Sequence, residues 1–337
     1  MNIIPAFPAA DFKEIEVWSD GFDYSINDFK GKVIILDFWT YTCVYCLRTL
    51  PTMDKVKKKY GDKGLIVIPI HSSEYEFAKD VNNTKRAISA LGLDGYVTGF
   101  DTKNKTWEEY GNSYWPKHVL VDREGFVRYE HPGYGTPSEF EEAISDLLDI
   151  PYSNEEYPQK NHKEPEDNEI TKVYGMHFAG MAPEICLGYS RIRRFGNNQK
   201  PKTNDYNILT EPSIILENNV YLRGKWRWDK ERVKASLDYK EKDPAIIFKY
   251  DKASNVNIIV GPDDSKPAIA EIRLDGKYLS EGQFGSHIKT NGETSYIETT
   301  LPFVFNIVKT KYAETHKVEI IPRSKSLTAE SKSLKLA

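Results

Sequence analysis

Residues 33–46 read VIILDFWTYTCVYC, and this stretch decides how the first half of the chain folds. Its first part is rich in β-branched and aromatic residues, which is typical of a strand buried on both faces. From Cys43 onward a helical pattern follows, with one side formed by Leu47, Leu50, Val56 and Tyr60. The stretch therefore predicts a buried strand that leads into a helix, with Cys43 at the helix N-terminus.

Two cysteines begin this helix, Cys43 and Cys46. The positive end of the helix dipole and the free backbone N–H groups favour a thiolate over a thiol at Cys43, so we expect it to be substantially ionised near neutral pH. Cys46 follows one helical turn later, within reach of a disulfide with Cys43. The pattern predicts a redox-active pair.

Two other interpretations of the pair are weaker. Half of a zinc site would require two further Cys or His ligands at comparable spacing. The only other cysteine is Cys186, and no paired histidines accompany it. Two inert core thiols are also disfavoured, because the pair begins a helix instead of lying within an apolar face.

The composition indicates a folded protein of more than one domain. The 337 residues are enough for two domains with their own cores, and the 21 tyrosines give a high aromatic content. The net charge of −4 arises from many charges of both signs, so nothing indicates a nucleic-acid partner. Three cysteines are too few for a structural disulfide framework.

The sequence shows no membrane or export signal. No stretch approaches the ~18 consecutive apolar residues that a transmembrane segment needs. Residues 1–10 lack a basic start, and prolines interrupt their short apolar run, so they do not read as a secretory signal. These features favour a cytoplasmic protein, and an extracytoplasmic location is open if a leader is missing.

Strand and helix patterns alternate along residues 1–150, which predicts an α/β domain with a central mixed sheet and helices on both faces. Within it we expect a short hairpin over residues 15–26. Residues 151–182 are rich in Asn, Glu, Lys and Pro and predict an extended linker. Residues 183–323 predict an all-β sandwich or jelly roll, and residues 324–337 a flexible tail.

Turn signals divide the β region into short strands. Residues 245–250 and 256–260 form two separate strand patterns, with the turn signal Asp251-Lys252-Ala253-Ser254 between them. Residues 303–308 and 318–321 likewise read as two separate strands. We therefore expect many short strands at regular spacing.

Several motifs resemble the thioredoxin superfamily. They are the stretch FWTYTCVYC at residues 38–46, Pro51 five positions past the second cysteine, and the later pair Trp115-Pro116. The Trp-Thr-Tyr stretch, together with Pro183-Glu184 and Leu187-Gly188-Tyr189 of the β region, most resembles the soluble part of DipZ-type proteins, relatives of the TlpA group.

This resemblance implies the identity of both domains. Residues 1–150 would form a thioredoxin-like domain, and residues 183–323 a β domain similar to the DipZ C-terminal domain and to carbohydrate-binding modules. The membrane module of DipZ-type proteins has no counterpart in this sequence.

The resemblance also implies catalytic roles. Cys43 would attack a disulfide and Cys46 would resolve the mixed disulfide. Asp37, six residues before Cys43, matches the buried acid of thioredoxins. A carboxylate withdrawn from water favours its protonated form and can accept the Cys46 proton. The alternative is an aspartate that faces solvent on an edge strand.

Pro116 would follow a cis Trp115–Pro116 bond, as in the family. The turn there would present a backbone edge beside the sulfurs, on which an extended substrate can pair. Trp39, Tyr45 and Trp115 would contribute an apolar contact surface for substrate; the alternative for these aromatic residues is simple packing. Val44 and Tyr45 lie between the cysteines. In this superfamily the two intervening residues tune the reduction potential, and this pair leaves the direction of electron flow open.

Two features depart from the DipZ pattern. Residues 133–135 read GYG, whereas that pattern has an acidic residue between the glycines. Cys186 stands where an aromatic residue is expected. It is either a third redox thiol or, the better interpretation, a small buried apolar residue.

The sequence thus predicts a thiol–disulfide oxidoreductase that exchanges electrons with protein disulfides through Cys43 and Cys46. The dithiol would need no metal and no organic cofactor. Electrons would come from a separate donor, because the membrane module that supplies them in DipZ-type proteins is absent from the sequence.

Two rival functions belong to other classes. A thiol peroxidase would need a hydroxyl residue and a proline just before the nucleophile; Thr40 and Thr42 are present, but the proline is not. Alternatively, the β domain binds a glycan or a protein and the first domain is a scaffold. Trp226 and Trp228 lie on one face of a strand, where they form either a sugar-stacking platform or, preferably, core.

Overall fold

The computed structural model describes five ranges of the chain: residues 6–135, 137–152, 184–239, 241–330 and 335–336. The chain divides into two compact units, residues 1–171 and 172–337. The linker predicted for residues 151–182 lies almost wholly outside the described ranges.

The first unit is built on a mixed sheet of seven strands in the spatial order β1-β7-β6-β3-β4-β5-β2. The central strands β3, β4 and β5 run parallel to one another, and the other pairings are antiparallel. The strands are β1 Phe7–Pro8, β2 Val17–Trp18, β3 Val33–Trp39, β4 Leu65–Ser72, β5 Gly99–Asp101, β6 Lys117–Val121 and β7 Phe126–Pro132.

Helices and apolar clusters cover both faces of this sheet, as predicted for an α/β domain. The helices are α1 Val44–Tyr60, α2 Val81–Ala90, α3 Lys105–Glu109 and α4 Pro137–Leu148, with short 3-10 turns at Ile26–Phe29, Gly61–Lys63 and Glu76–Lys79. Val33 and Ile35 of β3 pack in one buried cluster with residues of α1 and α4, such as Val56 and Ile144. Alternate residues of β3, such as Leu36, pack in a second cluster on the opposite face.

The hairpin expected over residues 15–26 is not formed. Val17–Trp18 pairs instead with β5, and Ile26–Phe29 is a 3-10 turn. The reason is a capping box, in which Ser25 accepts a backbone hydrogen bond and the Asp28 carboxylate accepts from the Ser25 N–H at 2.8 Å. Local capping therefore favours a turn over the second strand.

The second unit is all β, as predicted. Its strands are β8 Tyr206–Leu209, β9 Asn219–Trp228, β10 Arg232–Ala235, β11 Ala245–Pro262, β12 Ala268–Leu274, β13 Lys277–Tyr278, β14 Lys289–Asn291, β15 Thr294–Thr299, β16 Phe303–Pro322, β17 Leu327–Glu330 and β18 Lys335–Leu336. They form one hydrogen-bonded path, β14-β15-β12-β16-β11-β17-β10-β9-β8, with β13 on β12 and β18 on β11.

Two long strands hold this unit together. The predicted turn at residues 251–254 is wrong, because β11 continues through it, and β16 likewise merges two predicted strands. The β11–β16 ladder shifts register between Tyr250 and Ala253 and again before Asn255, and Lys252 takes a positive φ of 49°. The polar residues 251–254 therefore form bulges that bend a long strand and do not end it.

The C-terminal end also differs from the expected flexible tail at residues 324–337. Leu327–Glu330 is a strand that pairs with both β10 and β11, and its Leu327 and Ala329 side chains are fully buried. None of the helices in the described ranges has the length and apolar character of a membrane span.

Candidate active site

The two cysteines lie where the central strand β3 passes into α1. Cys43 is the N-cap residue of α1, with extended backbone angles (φ −96°, ψ 112°), and its carbonyl accepts the first helical hydrogen bond, from Leu47, at 3.0 Å. Cys46 lies in the first turn. Neither forms a disulfide, their exposures are 4% and 1%, and Cys46 is in hydrogen-bond contact with Cys43. The N-terminal position predicted for Cys43 is therefore confirmed.

The environment of Cys46 holds its proton. Burial raises the pKa of the Cys46 thiol well above its usual range, the hydrogen bond with Cys43 raises it further, and the nearby Asp37 charge acts in the same direction. A backbone hydrogen bond from Thr40 opposes these effects. Cys46 therefore needs a base before it can act as a nucleophile.

Asp37 lies in the middle of β3, between β6 and β4, and is 2% exposed. This position excludes the alternative of an edge-strand aspartate facing solvent. With Trp39, Leu50 and Met53 it lines a small cavity of about 10 Å³, roughly the room for one water molecule. The Asp37 carboxylate also lies close enough to Cys46 for its charge to act on that thiol.

The Trp115–Pro116 peptide bond is cis and lies against the first cysteine. The Cys43 thiol contacts the Trp115 carbonyl oxygen at 3.6 Å, and the Pro116 carbonyl accepts from Gly133 N–H at 2.7 Å. The Trp115 ring stacks on Trp107 with centroids 4.1 Å apart. Its indole N–H donates to the Ser72 carbonyl at 3.0 Å, so the half-buried side chain is firmly oriented.

The three aromatic residues predicted to contact substrate lie in different environments. Trp115 and Tyr45 are half-buried, so part of each side chain is accessible to solvent. Trp39 is 1% exposed and packs edge-on against His71 with centroids 5.5 Å apart. The structure therefore places Trp39 in the core, in agreement with the packing alternative.

A buried polar network precedes Cys43, and the sequence analysis did not identify it. The Thr42 hydroxyl donates to Glu74 Oε2 at 3.2 Å, and Thr40 lies 3.2 Å from Thr42 and 3.4 Å from His71 Nε2. Glu74 is 5% exposed. These contacts fix the loop that presents Cys43, and only the three-dimensional structure brings Glu74 and His71 to it.

Two further groups near the site were also missed. Arg48 is a buried cation of α1 whose guanidinium lies 5.6 Å from the Tyr45 ring centroid. Burial lowers the pKa of Arg48, while the charges of Tyr45, Cys43 and Tyr134 act to raise it. His118 lies opposite Asp37 in the β3–β6 ladder. The position of His118, two residues after Pro116, is visible in the sequence. Its contact with Asp37 would have been found only from the pairing of β6 with β3.

The second unit buries the residues that the sequence analysis singled out. Trp226 is fully buried, with its indole N–H donating to the Arg223 carbonyl at 2.7 Å, and Trp228 is 7% exposed. Both belong to the core and do not form a stacking platform. Cys186 is 3% exposed and pairs with Arg193 in an isolated β-bridge, in agreement with a small buried apolar residue.

Comparison with known families assigns both units. Residues 5–147 match the Redoxin family model, and residues 182–329 match the model described as a thioredoxin-like C-terminal domain. The order of the two domains is that of the sequence analysis.

Two curated relatives agree with this assignment. The chain is 29% identical over 274 residues to Protein DipZ of Mycobacterium bovis; the alignment covers 78% of this chain and 37% of DipZ. It is 27% identical over 128 residues to the thiol-disulfide oxidoreductase ResA of Bacillus thuringiensis; this alignment covers 38% of this chain and 70% of ResA. The chain therefore spans little more than a third of the DipZ length.

Among solved structures, the exposed lipoprotein thioredoxin Etrx1 of Streptococcus pneumoniae is 28% identical, with a TM-score of 0.37, over 41% of this chain and 100% of that one. The assignment rests on the two domain matches, the DipZ alignment over both units, and the cysteine pair with its cis-proline. Together these matches support a TlpA/DipZ-type thiol–disulfide oxidoreductase, with a Redoxin domain followed by a thioredoxin-like C-terminal domain.

Proposed function

We propose that the protein exchanges electrons with protein disulfides through Cys43 and Cys46. The single observation that carries this proposal is the arrangement of the two thiols. Cys43 caps a helix N-terminus and faces the backbone of the cis-proline turn, while Cys46 is in contact with it from within the helix. Helix N-termini favour thiolates, and only a thiolate attacks a disulfide.

In the reducing direction, the Cys43 thiolate attacks one sulfur of a substrate disulfide, forms a mixed disulfide and releases the first substrate thiolate. Cys46 then gives its proton to Asp37 and attacks the Cys43 sulfur. The bond between the two cysteines forms, the bond to substrate breaks, and the second substrate thiolate leaves. Two electrons pass to the substrate, and the oxidising direction is the reverse sequence.

The substrate is an extended protein segment that pairs with the backbone at Trp115 and Pro116. The half-buried rings of Tyr45 and Trp115 contribute apolar contacts beside the sulfurs. No step requires a metal or an organic cofactor, but the oxidised pair must be reduced again by a dithiol donor. That donor is a separate partner, and the β domain has no assigned ligand.

The threonines before Cys43 support disulfide exchange over peroxide reduction. A peroxidase needs a hydroxyl directed to the peroxide beside the nucleophile. Here the Thr42 hydroxyl donates to Glu74, and the Thr40 hydroxyl is within hydrogen-bond distance of Thr42 and His71. Both hydroxyls are therefore engaged in the buried network that holds the loop.

Trapping of the mixed disulfide tests this proposal. Cys46→Ser removes the resolving thiol, so we expect proteins to remain covalently attached to Cys43 until a reductant is added, and mass spectrometry would identify them. The matched control Cys43→Ser keeps Cys46 and should trap none. Turnover of hydrogen peroxide without turnover of insulin disulfides would instead favour the peroxidase, and a Cys43→Ser protein with full biological activity would favour the β domain as the working part.

A further inference from the structure

His118 faces the buried carboxylate of Asp37 from the neighbouring strand. The two residues are direct partners in the antiparallel β3–β6 ladder, so both side chains point to the same face of the sheet. His118 Nε2 lies 3.3 Å from Asp37 Oδ1, and both side chains are almost completely buried. Within the described ranges, three atoms of this pair make no hydrogen bond of good geometry: the two ring nitrogens of His118 and Asp37 Oδ1.

Such a pair is costly to bury, because each unsatisfied polar group loses its hydration without a full replacement. The separation of 3.3 Å is one that a small movement closes into a hydrogen bond. The pair is therefore suited to a transient proton transfer between the carboxyl group and the imidazole.

A second histidine continues from this pair toward the surface. His131 is the cross-strand partner of His118 on β7, and the two ring centroids are 6.3 Å apart. His131 is half-buried, with Nδ1 3.3 Å from the Tyr129 hydroxyl and Nε2 3.1 Å from the Tyr134 carbonyl oxygen. Asp37, His118 and His131 thus form a line of titratable groups from the buried site outward.

Other elements around His118 contribute few charges. From α4, the Phe140 ring packs against His118, with centroids 4.8 Å apart. The adjacent buried carboxylate, Glu141, lies 2.9 Å from the Lys59 ammonium of α1. On α1, Cys46 lies close enough to Asp37 for the carboxylate charge to raise the pKa of its thiol. In the described part of the chain, the titratable groups next to His118 are therefore Asp37 and His131.

We propose that His118 is a positioning residue for Asp37 and relays its proton toward His131. The inference rests on the proposed disulfide exchange. Cys46 transfers its proton to the Asp37 carboxylate, and the resulting thiolate forms the bond to Cys43 while the substrate thiolate leaves. The protonated carboxyl group then gives the proton to His118 Nε2, and His118 releases one from Nδ1 toward His131. Asp37 is thereby returned to its basic form.

Dithiobis(nitrobenzoate) separates the two chemical steps in the full-length reduced protein. Attack by Cys43 releases one coloured thionitrobenzoate, and attack by Cys46 on the mixed disulfide releases the second. We expect His118→Phe and His118→Gln to slow the second release about tenfold at pH 7 and to alter its pH profile, because neither side chain carries a proton onward. The first release should change less than about twofold.

The matched control is His287→Gln, which replaces a half-buried histidine of the second unit and should leave both releases unchanged. In a double-mutant cycle, His118→Gln should add little to the effect of Asp37→Asn, because both act on one proton. Full additivity of the two effects would overturn the inference, as would an unchanged second release and pH profile in His118→Gln.

The same measurement separates failure of this inference from failure of the proposed function. If the wild-type protein gives no second release, Cys46 does not resolve the mixed disulfide and the proposed function itself is wrong. If wild type gives both releases and the His118 variants match it at every pH, only the relay is wrong. A normal first release in each variant shows that the fold around Cys43 is intact.

Discussion

Asp37 shows how a single residue connects the fold to the chemistry. The sequence analysis identified it because its place six residues before Cys43 matches the buried acid of thioredoxins, and in the structure it is 2% exposed. Its partner His118 was not identified, because β6 follows β3 in the sheet but lies about eighty residues away along the chain. Local sequence patterns do not show which residues of two distant strands will lie opposite each other.

Replacement of the base tests the role of Asp37. Asp37→Asn preserves size and polarity but cannot accept the Cys46 proton. We expect the second release from dithiobis(nitrobenzoate) to slow about 100-fold at pH 7, within the usual range for general base catalysis, with the first release nearly unchanged. Stopped-flow absorbance measures both phases. An equal loss in the two phases would show that Asp37 acts on Cys43 or on the fold instead.

His71 makes the stability of the first unit depend on pH. It is 1% exposed, and burial lowers its pKa to about 3. Below about pH 6.5 the His71 side chain binds a proton in the unfolded chain but stays neutral in the folded state. The free energy of unfolding therefore decreases as the pH falls from about 6.5 toward 3, by up to about 1.4 kcal/mol per pH unit.

His71→Phe removes this titration and keeps an aromatic ring beside Tyr41, on which His71 stacks with centroids 5.4 Å apart. Urea unfolding at pH 7 and pH 5 should show a smaller loss of stability in the variant than in wild type, because the carboxylates that titrate in both proteins cancel in the comparison. Parallel pH dependences of the two proteins would contradict the neutral, buried state of His71.

The loop between β3 and α1 is held by its threonines. Thr42→Val removes the hydroxyl that donates to Glu74 and leaves a buried carboxylate without that bond, so we expect a loss of about 1–3 kcal/mol in unfolding free energy. Thr42→Ser retains the hydroxyl and is the matched control. Urea unfolding at pH 7 measures both; equal stabilities of the two variants would show that the bond contributes little.

Among the elements, long β ladders were the hardest to predict. The strand β3 follows from its apolar pattern, whereas β11 and β16 each continue across a polar stretch that separates two predicted strands. At residues 251–254 the chain needs only a bulge, and the long ladder around it supplies the hydrogen bonds that override the local signal. The buried β17 was missed for a related reason, since its partners β10 and β11 are distant in sequence.

A glycine of β9 tests the packing of the second unit. Gly224 has a φ of 90°, and an added Cβ would lie 2.8 Å from the Pro244 Cα. We expect Gly224→Ala to lower the free energy of unfolding by about 2 kcal/mol or more, since backbone must move. Gly276→Ala is the control: its φ is 80°, but no atom lies within 4 Å of the added Cβ, so only backbone strain remains. Equal losses would show that the Pro244 contact is relieved without cost.

At the scale of the whole molecule, all residues proposed for catalysis belong to the first unit, and the second unit has its own buried core. We therefore expect Gly224→Ala, at a temperature where the variant is folded, to give both thionitrobenzoate releases at wild-type rates. Stopped-flow absorbance with the full-length variant tests this expectation. A large change in either rate would show that the β domain contributes to the reactive site.

The strand pairing has a consequence for the whole site. β3 carries Asp37 and leads into Cys43, while β6 follows Pro116 and carries His118, so two adjacent strands position the cysteine and the cis-proline as well as the acid and the imidazole. Deleting one residue from either strand would turn its buried polar group to the opposite face. The alternation of side chains along the two strands thus sets the distance from the sulfur to the carboxylate and from the carboxylate to the imidazole. The loops can vary in composition while this spacing is preserved.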